Sequence, residues 1–72
     1  MTSTHTARIT SPVSYRAGTG RRHHIPIGPC LIEPMNERCV DVIWGRRGER
    51  SAVLGIDEMK AAQDRGNLVL LD

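Results

Sequence analysis

From Cys39 to Ile56, apolar residues recur at every second position on both sides of one short, glycine-bounded turn. Val40, Val42 and Trp44 fall on one face of an extended segment, with Cys39, Asp41 and Ile43 on the other. After Gly45-Arg46-Arg47-Gly48-Glu49, Ala52, Leu54 and Ile56 alternate against Ser51 and Val53. A period of two is the signature of a half-buried strand, so this stretch reads as a β-hairpin. Gly48 can take the left-handed conformation that closes a three-residue loop with a G1 bulge. That loop pairs Val40 with Leu54, Val42 with Ala52 and Trp44 with Arg50. A loop one residue shorter or longer would set Val42 against Ser51, so apolar matching favours the bulged register.

A further strand is expected at Pro29-Cys30-Leu31-Ile32-Glu33, stopped by Pro34. Pro34 suits position i+1 of a type I turn and Asn36 tolerates the left-handed conformation after it. The same bulged loop would then place Cys30 opposite Val40 and Leu31 opposite Cys39. On the C-terminal side, Asp57 is a favourable helix N-cap, and its charge with that of Glu58 suits the positive end of the helix dipole. Ile56 can staple against Ala61. The helix is expected over 58–65, ending at Gly66 as C′ residue, with a last strand from Asn67 to Leu71. The fold class is therefore α+β: a three-stranded antiparallel meander, one short helix and a final strand.

Charge divides the chain more sharply than its net of +2 suggests. Residues 1–24 carry Arg8, Arg16, Arg21 and Arg22 and no acid. The remainder carries six bases against eight acids. The first segment is rich in Thr, Ser, Gly and Arg. Its few large apolar residues (Ile9, Val13, Tyr15) keep no sustained period, which leaves little to offset the entropy of ordering them. Residues 1–25 are expected to be a disordered basic arm, with Ala17-Gly18-Thr19-Gly20 as a flexible spacer and a short strand near Ile9–Tyr15 as the weaker alternative. Residues 26–72 are the expected domain.

A folded part of this size often needs a disulfide, a metal or a partner subunit. Leu68 and Leu70 face one way and Val69 and Leu71 the other, so both faces of the last strand want cover. Self-association through these four residues and Trp44, most simply as a homodimer, is the expectation. The alternative is a central strand covered by the helix and by Ile25 and Ile27.

Candidate chemistry is sparse. In the bulged register the Cys30 and Cys39 thiols point to opposite faces, which rules out a disulfide unless that register slips by one residue. Two small buried side chains are the simpler reading. His23-His24 with these cysteines has donors that zinc prefers, but adjacent histidines diverge and no close cysteine pair exists. Nothing places a base beside a nucleophile, and so small a domain has little room for a ligand cleft of about 300 Å³. No cofactor, metal or enzymatic activity is expected. No aliphatic run approaches the roughly 20 residues that cross a bilayer, and the N-terminus lacks a secretory h-region, so the expected location is cytoplasmic.

One constellation stands out. Arg21, Arg22, Arg46, Arg47 and Arg50 could contact phosphates or an acidic partner, because the guanidinium fork matches phosphate geometry. The expected function is a small non-catalytic interaction module that self-associates through its sheet and presents a basic arm to a partner. The alternative is a nucleic-acid-binding regulator using the arm and the Arg46-Arg47 turn.

Overall fold

The computed structural model describes residues 4–16 and 20–71. Seven strands and one helix follow in the order β1 (His5–Ile9), β2 (Val13–Arg16), β3 (Arg22–Ile25), β4 (Gly28–Pro34), β5 (Cys39–Trp44), β6 (Arg50–Gly55), α1 (Ile56–Asp64) and β7 (Leu68–Leu70). Five strands form an antiparallel sheet in the order β6-β5-β4-β1-β7, and β2 and β3 form a two-stranded ribbon of their own. The α+β class, the meander β4-β5-β6, the helix and the last strand agree with the sequence reading, but the strands exceed that reading by three.

Those three lie in the segment expected to be disordered. The correction is largest at β1, which sits inside the sheet between β4 and β7, pairing Ala7 with both Cys30 and Leu70 and Ile9 with Leu68. Ala7 and Ile9 are buried, as are Val13 and Ile25 of the ribbon. Few apolar residues suffice here because every one of these four reaches the core. The entropy of ordering β1 is offset by ladders on both its edges and not by its own composition. Strands on both sides of the boundary expected at residues 25–26 contribute to the same core cluster. Of the expected spacer Ala17-Gly18-Thr19-Gly20, residues 17–19 lie outside the described residues.

The β5–β6 hairpin has the expected register: Val40 opposite Leu54, Val42 opposite Ala52, Trp44 opposite Arg50. The Gly48 N–H donates to the Gly45 carbonyl (3.2 Å), and Gly48 is left-handed at φ +67°. The first hairpin differs. Cys30 pairs with Trp44 and Pro34 with Val40, four residues further along β5 than expected. Asn36 has no positive φ. Instead its Oδ1 accepts from the Arg38 N–H (2.8 Å) and the Cys39 N–H (3.0 Å), an Asx-type turn that holds a longer loop. Because the shift is even, it exchanges no faces. Cys30 is buried, Cys39 half-buried, and both are free thiols.

The helix begins earlier than expected. Gly55 and not Asp57 is the N-cap. Glu58 Oε1 accepts from the Gly55 N–H (3.1 Å), and the Ile56 N–H, already in the first turn, donates to the Arg38 carbonyl (2.8 Å). Asp57 is an exposed first-turn acid, and Ile56 cannot staple from before the cap. The C-terminus is as expected: Gly66 is left-handed at φ +75°. The Gly66 N–H donates to the Gln63 carbonyl and the Asn67 N–H to the Ala62 carbonyl (both 2.9 Å), the Schellman pair of bonds.

The core lies between one face of the sheet and a second layer. α1 packs on β5, β6 and β7, and β2 touches β6. Ile9, Ile32, Val42, Leu54 and Leu68 from the sheet meet Val13, Ile25 and Ala62 from the covering layer. β7 is an edge strand and not the central one considered as the alternative; of its two supposed covers, Ile25 is buried and Ile27 is 62% exposed.

Candidate interaction surfaces

Strand register assigns each side chain of the sheet to a face. Leu68 and Leu70 pair with Ile9 and Ala7 and so face the core; Leu68 is fully buried and Leu70 is partly open at the edge. Trp44, half-buried, shares that face, and its ring meets Tyr15 edge-on at 6.3 Å. Of the five residues expected to mediate self-association, Leu68 thus belongs to the protein's own core, Trp44 packs half-buried against it, and Leu70 lies on its margin.

Val69 and Leu71 have a different setting. Val69 pairs with Arg8, and the Leu71 N–H donates to the Thr6 carbonyl (2.9 Å). Both side chains belong to the sheet face away from α1 and the ribbon. Across that face run three rows. Thr6, Leu31, Ile43 and Ser51 are successive partners in the middle one, Val69, Arg8 and Pro29 lie to one side, and Glu33, Asp41 and Val53 to the other. Leu31, Val53, Val69 and Leu71 are each exposed by about two-fifths or more. Sequence alternation alone did place Leu31, Ile43 and Val53 opposite the core residues; it could not show that no element among the described residues covers them.

The charges on this face are sorted. Glu33 stands directly opposite Asp41, a like-charge pair that weakens the ladder unless a positive group lies over it. Arg8 lies opposite Pro29, four residues down β4 from Glu33, or roughly 13 Å at 3.3 Å per residue. At that basic end Arg46 and Arg47 border a broad open groove of about 620 Å³, whose floor includes Thr6, Leu31, Ile43 and Leu71. A domain this small does leave room for a cleft, contrary to expectation. Glu49 fastens the turn beneath the two arginines. Its carboxylate accepts from the Arg47 N–H (2.9 Å). Backbone hydrogen bonds from its own amide and that of Arg47, aided by the nearby Arg50 charge, hold its pKa below the usual carboxylate range.

The ribbon carries the second surface. Register places Val13, Tyr15, His23 and Ile25 on its inner face and Ser14, Arg16, Arg22 and His24 on its outer one. The Tyr15 and His23 rings stack at 5.7 Å, and Tyr15 carries the contact on to Trp44. All four outer residues are exposed. Arg16 faces Arg22 directly, and with Ser14, Tyr15 and Glu58 they line a recess of about 310 Å³. Arg22, singled out from sequence, is therefore on the ribbon, Arg21 directly precedes it in the chain, and Arg16 joins them. Arg46 and Arg47 border the other surface, while Arg50 stands opposite Trp44.

Among the described residues no group of three or more His, Cys, Asp and Glu side chains converges to hold a metal ion, and no helix is long and apolar enough to cross a membrane. No protein-family model matches the chain. Neither a curated protein nor a solved structure shows significant similarity to it.

Proposed function

We propose that this chain is a small non-catalytic interaction module that self-associates by stacking the open sheet face of one copy on that of a second. The observation that carries this reading is the pattern of that face: an apolar middle of Leu31, Ile43 and Leu71 between the Glu33–Asp41 pair and the Arg8, Arg46 and Arg47 end. A two-fold axis through the middle row makes the face complementary to itself. Each acidic pair then comes under the partner's basic end, while the leucines and Ile43 close over one another. Five strands at about 4.8 Å spacing and some 20 Å of length give a face of roughly 500 Å² per copy. That is at the low end of specific interfaces, so the dimer dissociates on dilution.

Sedimentation equilibrium over a range of concentrations tests this. The expected result is a reversible shift from 8.0 kDa to twice that mass. Leu31→Glu, at an exposed position, abolishes the shift without unfolding the chain. Glu33→Arg weakens it, and combining Glu33→Arg with Arg8→Glu restores part of the loss. A protein monomeric at every concentration, or a dimer indifferent to Leu31→Glu, would sink the proposal.

A further inference from the structure

We infer that the outer face of the β2–β3 ribbon is a phosphate-contact surface for double-helical DNA. The inference stands on the ribbon alone and does not require the stacked dimer.

Three features of the ribbon converge. Its outer face offers only donors and titratable bases: Ser14, Arg16, Arg22 and His24, with Arg21 next to them in sequence. The Arg16–Arg22 pair is a like-charge cross-strand contact that costs stability in the free protein, and a shared anion between the two guanidinium groups would relieve it. The only acid at the recess, Glu58, is turned back on its own helix, Oε1 accepting from the Gly55 N–H.

Shape then selects among polyanions. A two-stranded ribbon of this kind is one of the elements that the major groove of B-form DNA, about 12 Å wide, admits. The deep, narrow major groove of A-form RNA does not admit such a ribbon. Unpaired bases need free aromatic faces to stack on, but the exposed His23 ring is stacked on Tyr15 and the half-buried Tyr15 also meets Trp44 edge-on. What remains is a duplex, whose phosphates the outer-face arginines contact. Such binding is governed by counterion release.

The test is fluorescence anisotropy of the full chain with a labelled mixed-sequence DNA duplex, repeated across salt. Three arginines on phosphates give a log–log slope near −2.7, or about 40-fold weakening between about 50 and 200 mM salt. Arg16→Gln with Arg22→Gln removes two of the three, so the slope falls to about one third and the same salt step costs only about 4-fold. The ratio of slopes is the readout, because two ribbons on one duplex would double both. Both substitutions are at exposed positions and relieve a repulsion, so the thermal midpoint of the variant holds or rises. Arg46→Gln with Arg47→Gln leaves the slope unchanged. Absence of duplex binding at about 50 mM salt, an unchanged slope in the ribbon variant, or equal binding to single-stranded DNA, to duplex RNA or to polyglutamate would each overturn the inference.

Discussion

Ile9, near the start of the chain, lies opposite Leu68, near its end, and both are fully buried. Through this pair β1 joins β7 to the rest of the sheet, since among the described residues no other strand lies beside β7. Ile9→Ala is therefore expected to cost about 2–5 kcal/mol, the range for emptying a buried aliphatic site, as read from chemical denaturation. Removal of residues 1–9 would abolish the cooperative transition altogether. A shortened chain that still unfolds cooperatively would contradict the central position of β1.

The two thiols should differ sharply in reactivity. Cys30 is buried and burial raises its pKa, which disfavours the nucleophilic thiolate. Cys39 is half-buried. Alkylation with iodoacetamide followed by mass spectrometry should modify Cys39 first and Cys30 only under denaturing conditions. The raised pKa also sets a direction with pH. The stability linked to protonated Cys30 is complete below the ordinary thiol range and is lost as pH rises through the raised value. Cys30→Ala flattens that alkaline decline.

Glu49 gives the opposite sign. Its pKa is depressed, so the contribution of its carboxylate to the β5–β6 turn is present above the ordinary carboxylate range and lost as pH falls through the depressed value. The group is fully exposed, so the effect is local. The Arg47 amide resonance should titrate with Glu49, and its hydrogen exchange should quicken in Glu49→Gln. An Arg47 amide indifferent to that substitution would refute the capping role.

Gly66 isolates a purely conformational cost. A Cβ added there would meet no atom within 4 Å, yet φ is +75°. Gly66→Ala is expected to destabilise by about 1–2 kcal/mol, the left-handed penalty of an L-residue. A chemically synthesised chain with D-alanine at the same position avoids that penalty and matches or exceeds the parent in thermal midpoint. Equal losses from both alanines would point to steric crowding instead.

The parts legible from sequence are those decided within a few residues of chain. Alternation from Val40 to Leu54 and the left-handed tolerance of Gly48 specify the β5–β6 register, and Gly66 specifies the end of the helix. Side-chain competition for backbone amides already blurs this. Asn36 takes the amides of Arg38 and Cys39 and moves the first hairpin by four residues, and Glu58 reaching Gly55 moves the helix start ahead of Asp57. The candidate surfaces were only half visible, because Arg21 and Arg22 are conspicuous as residues while the outward face of Arg22 depends on pairing with β2.

By itself, then, the amino-acid order determined the strand faces, the turn at Gly48 and the stop at Gly66, since steric limits on φ and the two-residue pleat act locally. Tertiary structure alone decided that His5–Ile9 becomes a central strand and which faces stay bare. Those outcomes depend on ladders and burial between residues some sixty positions apart, such as Ile9 and Leu68, and no short window of the chain contains both partners.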